Sequence, residues 1–376
     1  MQPFTDPPAG VLRPSSAERW GPCAGSFRLE GMYPEEEGEE ARQGTAAHFY
    51  VTEFLQARVW PVGTLTPNGV PIDEEMIECG EVFLDTARDF TWPGVPYYVE
   101  HKLTMHATVH PENEGTPDVW SANTELHKIF LADYKYGHGY VDAFRNPQCV
   151  NYLAGIFERL GLTREQSKGW EVLVCIVQPR NYHPEGAVRT WRALGWEVWA
   201  EIDKLREAAW LAKQPNAPTQ TGDWCGHCTG RHACEALRRV GGHVLDLAGS
   251  GMPSELTNEA LALLLSQYRA AEKRLKALKE GLEAQALAKM RKGEKIPGHQ
   301  IEHGKGRETW STPLPEVFAL GDTLGVNLRK EAALTPNQAR KAGLDPELVK
   351  AFATTPTGEA KVGVADMRAV AKAFSR

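Results

Sequence analysis

Two apolar segments, 126–134 (LHKIFLADY) and 170–178 (WEVLVCIVQ), constrain this chain most, because each has strand length and a helical pattern at 146–160 lies between them. Around this unit the sequence predicts a helix over 41–58, with Ala46, Ala47, Val51, Phe54 and Leu55 on one side, and another over 74–90. Strands are expected at 97–104 and 115–121, and a strand and a helix fill 189–212. The core order is helix, three strands, helix, strand. It implies an α/β fold, a mixed sheet flanked by helices.

The Gly/Pro-rich breaks at 61–71, 214–222 and 249–254 punctuate the 376 residues, and the last is the expected domain boundary. Three regions follow: a core domain over 1–248, a long amphipathic helix within 249–295, and a small α/β region over 296–376. Leu261, Leu264, Leu265, Tyr268, Leu275, Leu278 and Leu282 recur at helical steps, with Pro253 and Ser254 placed to start the helix and Gly293 to end it. Thr335-Pro336 and Asp345-Pro346 each read as opening a later helix.

The net charge of −7 argues against a uniformly basic protein, but charge is unevenly spread. Residues 269–307 carry eleven Lys/Arg against five Glu, a local footprint for a polyanion or a solvated helix face. The acidic run from Glu30 to Glu40 reads as a solvated loop. No apolar run reaches the roughly 20 residues that cross a bilayer, and the start lacks a signal-peptide pattern. A cytoplasmic protein with reduced thiols is expected.

The chemistry gathers between Gly115 and Tyr152. Pro117-Asp118 precedes Asp133-Tyr134-Lys135 by fifteen residues. Alternation along a strand puts Asp133 and Lys135 on one face, and pairing of two strands brings Asp118 to them. Two carboxylates can hold a hard cation such as Mg²⁺ or Mn²⁺, while an ammonium group orients water or stabilises developing charge. Gln148 and Tyr152 share a face of the following helix. A second cluster, Cys225, Cys228 and Cys234, has C-x₂-C-x₅-C spacing and wants a fourth ligand, for which His227, His232 and Cys23 are candidates. Zn²⁺ or an iron–sulfur cluster would satisfy it. Cys79, Cys149 and Cys175 read as core.

These residues resemble the PD-(D/E)xK nuclease superfamily, most closely its RecB-like exonuclease branch and phage-encoded proteins of that type. Pro117-Asp118…Asp133-Tyr134-Lys135 resembles the name-giving motif, Gly44…His48 the GxxxH motif and Gln148…Tyr152 the QxxxY motif, over roughly residues 13–240. The resemblance implies a restriction-endonuclease-like core. Asp118, Asp133, the Tyr134 carbonyl and His48 would be metal ligands, and Lys135 the assistant of the attacking water. Gln148 and Tyr152 would contact phosphate or support the site, and Glu100 is a further carboxylate of uncertain role. One cysteine before the motifs (Cys23) and three after them (Cys225, Cys228, Cys234) match the AddB-type [4Fe–4S] arrangement, which would staple the two ends of the domain together. The expected function is metal-dependent DNA hydrolysis, most readily by an exonuclease, in phage recombination, repair or processing, with DNA as partner and a helicase or recombinase alongside. A phage origin would place it in the host cytoplasm. The basic residues Lys289, Arg291, Lys292, Lys295, Lys305 and Arg307 would extend the DNA path. The rival readings are a DNA-binding scaffold without hydrolysis and a zinc-stabilised interaction protein.

Overall fold

The computed structural model describes residues 12–33, 38–181, 183–248 and 255–301. A 3₁₀ turn (Pro14–Ser16) leads into α1 (Ala17–Trp20), α2 (Ala24–Met32), α3 (Glu39–Leu55) and α4 (Glu74–Phe90). Then come β1 (Tyr97–Val99), β2 (Leu103–Thr104), β3 (Glu114–Gly115), β4 (Val119–Asn123) and β5 (Lys128–Tyr134). α5 (Pro147–Arg159) and the short α6 (Arg164–Ser167) precede β6 (Glu171–Val177), β7 (Val188–Leu194) and α7 (Gly195–Ala212). Two 3₁₀ turns (Asp223–His227 and Arg231–Ala233) carry the cysteines, and α8 (Glu235–Ala248) and α9 (Asn258–Arg291) follow.

The main sheet has the order β1-β4-β5-β6-β7. Only the central β5–β6 pair is parallel, and β1–β4, β4–β5 and β6–β7 are antiparallel. The sheet is therefore mixed, as expected. α5 supplies the crossover that a parallel pair requires. Alternation along β5 sends Ile129 and Leu131 into one core with α5 and α7, and Phe130, Ala132 and Tyr134 into another with α3 and α4. Two apolar faces explain why β5 and β6 are nearly continuous hydrophobic runs. Phe130, Leu131 and Val174 are fully buried. The hydrophobic face of α3 is formed by Ala46, Ala47, Tyr50 and Val51.

Three expectations need correction. The strand expected at 97–104 is two strands, β1 in the main sheet and β2 in a separate two-stranded sheet with β3. The break falls at Glu100, whose φ of +46° ends the extended run. The strand expected at 115–121 is likewise divided between β3 and β4, with Pro117 between them. The long helix begins at Asn258 rather than at Pro253 and Ser254, because Thr257 caps it by accepting a hydrogen bond from the Ala260 amide at 3.3 Å. Its C-terminal end follows the expectation, with Gly293 at φ +88° just beyond. α8 was not foreseen as a helix. The later helices expected after Thr335 and Asp345, and the basic residues Lys305 and Arg307, lie outside the described residues.

α9 reaches the cysteine turns at Gly281, where an added Cβ would sit 2.6 Å from Arg231 Cγ and 3.0 Å from the His232 amide nitrogen. A side chain there would push the helix off the turns, so the close approach depends on glycine. No helix among the described residues is long and apolar enough to cross a membrane.

Candidate metal centre

The site forms at the C-terminal end of β5, where helices from both faces of the sheet reach its edge. α3 brings His48 from one side and α5 brings Gln148 and Tyr152 from the other. Asp118 stands at the entry to β4, and Asp133 and Lys135 at the exit of β5.

Asp118 is nearly buried. One carboxylate oxygen pairs with His48 Nδ1 at 2.9 Å, and the other accepts the backbone N–H of Tyr134 at 2.6 Å. That N–H lies at the end of the β4–β5 ladder, where no β4 residue pairs with Tyr134, so a side chain can take it. Burial alone would raise the Asp118 pKa. The charge of His48 and the hydrogen bonds from His48 and Tyr134 outweigh burial and hold it below the usual carboxylate range. Burial likewise works against a charged His48, yet the Asp118 carboxylate lifts its pKa above the ordinary imidazole value.

Glu100 completes this half of the site. Among the described residues, His48, Glu100 and Asp118 offer one ligand atom each within 4.8 Å of one another. Glu100 is exposed as a residue, with one carboxylate oxygen near the ligand atoms of His48 and Asp118. Loss of solvation first, and then the charge on Asp118, raise its pKa to about 7. The Glu100 amide donates to the Asp118 carbonyl at 3.0 Å, which locks the two backbones together. A left-handed conformation at a non-glycine residue costs of order 1 kcal/mol and is retained where surrounding contacts fix it.

The other half is a ring closed by two hydrogen bonds and an ion pair. Lys135 Nζ lies 2.9 Å from Asp133 Oδ2 and donates to Gln148 Oε1 at 2.8 Å. Gln148 Nε2 returns to Asp133 Oδ1 at 2.9 Å and reaches the Tyr152 hydroxyl at 3.3 Å. Asp133 is 2% exposed. Burial raises its pKa more than Lys135 lowers it, and Asp118 adds to the rise. The Lys135 pKa is raised because Asp133 offsets the cost of burying the ammonium. Asn146 sets the ring from below. Its Oδ1 caps α5 by accepting the amides of Gln148 (3.0 Å) and Cys149 (3.2 Å).

The structure thus brings together all of His48, Asp118, Asp133, Tyr134, Lys135, Gln148 and Tyr152, and adds Glu100. Tyr134 engages Asp118 through its N–H, and its ring meets His48 edge-on at 5.4 Å. Of the expected ligands His48, Asp118, Asp133 and the Tyr134 carbonyl, His48 and Asp118 group closely with Glu100, while Asp133 faces Lys135 and Gln148. Asn146 was missed, although Asn-Pro at a helix start is a recognisable capping signal. A cavity of about 740 Å³, walled by Phe90, Trp92, Leu194 and Trp196, lies at the opposite end of the sheet beside Lys128 and Glu171.

Cys23, Cys225, Cys228 and Cys234 are all buried. Cys23 lies within electrostatic range of Cys234, Cys225 and Cys228. Burial raises the pKa of Cys23 and Cys225, and that of Cys228 to about 12. Sulfur accepts backbone N–H groups from Gln220 at Cys23 and from Gly222 at Cys225, each at 3.3 Å. Leu29, Trp224, Leu237 and Ala277 pack with Cys225 and Cys234. His232 instead packs edge-on against Tyr33.

Residues 10–339 match a family described as "Protein of unknown function (DUF2800)". The chain belongs to this family. The match spans the sheet, both halves of the site, the cysteine turns and α9, so the whole described architecture of this DUF2800 protein lies inside the family region.

Proposed function

We propose that this DUF2800 protein is a metal-dependent DNA nuclease of the PD-(D/E)xK type, most readily an exonuclease. One observation carries the reading: a His48–Glu100–Asp118 ligand group stands beside a buried Asp133–Lys135–Gln148 ring at one end of a mixed sheet. The donors, two carboxylates and an imidazole, suit Mg²⁺ or Mn²⁺. Such an ion supplies Lewis-acid stabilisation of charge on a phosphate and a more acidic bound water.

His48, Glu100 and Asp118 would hold the ion, with Asp133 at its margin. The Tyr134 N–H fixes one Asp118 oxygen and leaves the other facing His48, which turns the carboxylate toward the ligand group. Lys135 stays charged because Asp133 sits beside it. From that position its ammonium can orient the attacking water and offset charge on a phosphate oxygen. Gln148 keeps the ammonium and Asp133 in register, and Tyr152 keeps Gln148 in place.

We read Cys23, Cys225, Cys228 and Cys234 as ligands of a [4Fe–4S] cluster with a structural role. The support is the convergence of four buried thiols from the two ends of the domain, with N–H donors aimed at two sulfurs. Such donors stabilise thiolate charge. Iron and sulfide in equal amounts would agree with this reading, and stoichiometric zinc would refute it.

Purified protein with Mg²⁺ or Mn²⁺ is expected to shorten end-labelled linear DNA and to leave closed circles intact. EDTA is expected to stop the reaction. Cutting of closed circles would replace exonuclease by endonuclease, and absence of cleavage with every divalent metal would leave a DNA-binding scaffold or an unrelated role.

A further inference from the structure

The connection from β5 to α5 has both ends in the site, since Lys135 donates to Gln148 across it. Its tip reads Gly137-His138-Gly139-Tyr140 and is exposed. Two glycines in an exposed tip favour mobility, yet this one is pinned along its backbone. Gln178 Nε2 donates to the carbonyls of Gly137 (2.8 Å) and Gly139, and Gln178 Oε1 accepts the Val141 amide at 3.2 Å. Arg189 Nε donates to the Val141 carbonyl at 2.8 Å, and its Nη2 to Gln178 Oε1. Asn181 Nδ2 donates to the His138 carbonyl at 2.6 Å.

Arg189 is 2% exposed, and its Nη1 is buried without a hydrogen-bond partner. Burying a guanidinium is costly, even with Asp142 and Glu185 near enough to offset part of its charge. A covering loop over a sheet end would not need it. What Arg189 and Gln178 hold in place is an aromatic surface. Tyr140 lies over the Arg189 guanidinium at 4.9 Å, meets the His183 ring at 4.7 Å, and still exposes 45% of its surface. His138 sits on the same tip, with Nδ1 3.2 Å from the Arg180 carbonyl. Tyr140 is five residues from Lys135, so their Cα atoms are at most ~17 Å apart, a few nucleotides along a strand.

We propose that Tyr140 and His183, held by Arg189 and Gln178, form a stacking platform for a base of the DNA strand entering the site. The platform rests on the nuclease reading above and adds to it the way the strand is held. Base–aromatic stacking is tolerant of sequence, because every base has a flat face. The device therefore suits an enzyme that grips single-stranded DNA at any sequence. Arg189 is a positioning residue here. Tyr140 and His183 are the contacting ones.

The test is the affinity of full-length protein for a fluorescent single-stranded oligonucleotide, with EDTA present so that the strand stays whole. Tyr140→Ala is expected to weaken binding roughly five- to a hundred-fold, and Tyr140→Trp to keep it. On a fully abasic strand of equal length, Tyr140→Ala and wild type should bind alike, which separates stacking from a general loss of fold or charge. If wild type binds and cleaves DNA while Tyr140→Ala binds as tightly, the platform is refuted and the nuclease reading stands. If wild type neither binds nor cleaves, both fail.

Discussion

Replacing Lys135 by Met removes the ammonium 2.9 Å from Asp133 Oδ2 and leaves a carboxylate that is 2% exposed. Gln148 Nε2 would remain as the Asp133 donor, while Gln148 Oε1 loses its own partner. Breaking a fully buried pair from one side costs about 3–5 kcal/mol, whereas exposed pairs contribute about 0–1 kcal/mol. The Lys135 side chain is 25% exposed, which places this pair between the limits and near the buried one, at about 2–4 kcal/mol. Urea unfolding followed by tryptophan fluorescence at pH 8 should show that loss. Asp133 already has a raised pKa, and removing Lys135 raises it further. At pH 5 the stranded carboxyl can take up a proton, and the deficit should shrink. Lys135→Met combined with Asp133→Asn should recover most of the loss at pH 8, since no buried charge is then left alone. A single variant as stable as wild type at pH 8, or a double variant no better than the single, would refute the picture of a buried, mutually dependent pair.

Three further outcomes are expected. In metal-free protein the pKa values of Glu100 and His48 are raised on folding, so both groups bind protons more tightly folded than unfolded; stability from both is present at low pH, that from Glu100 is lost as pH rises to about 7, and that from His48 as pH rises past the ordinary imidazole value. Thermal melts with EDTA should therefore decline from pH 6 to pH 8, and Glu100→Gln should flatten the decline. Added Mn²⁺ should raise the melting temperature more at pH 8 than at pH 6, because a ligand must shed its proton to bind, and equal shifts at both pH values would remove Glu100 from the ligand set. Asn146→Ala should cost about 1 kcal/mol in urea unfolding through loss of the α5 cap, and should lower activity by releasing Gln148, whereas a variant of unchanged stability would deny the cap its role.

Much of this architecture can be read from residues alone because β5 and β6 are buried on both faces, which writes them as unbroken apolar runs. The motif spacing then fixes Asp118, Asp133 and Lys135 at neighbouring strand ends, and α5 carries Gln148 and Tyr152 one turn apart. Glu100 was legible only as a carboxylate before the paired strands. Its contribution depends on a left-handed backbone that breaks an otherwise regular strand pattern, and alternation along the chain does not foresee such a break. The small β2–β3 sheet was missed for the same reason, since two-residue strands leave no period to detect. That Cys23 lies near Cys225, some 200 positions later, follows from the tertiary fold, and no local pattern in the sequence foretells it. The buried Arg189 is equally hidden, because a strand arginine ordinarily reads as a solvent-facing residue.

In the proposed activity His48, Glu100, Asp118 and Lys135 act together on a phosphodiester bond. Single-turnover cleavage of end-labelled linear DNA, with Mg²⁺ or Mn²⁺ and with excess protein, tests it most directly. Wild type is expected to cleave, Asp118→Asn or Lys135→Ala to lose at least a hundred-fold in rate despite retained DNA binding, and EDTA to abolish cleavage. Cleavage that persists at the wild-type rate in those two variants, or that proceeds unchanged in EDTA, would contradict it.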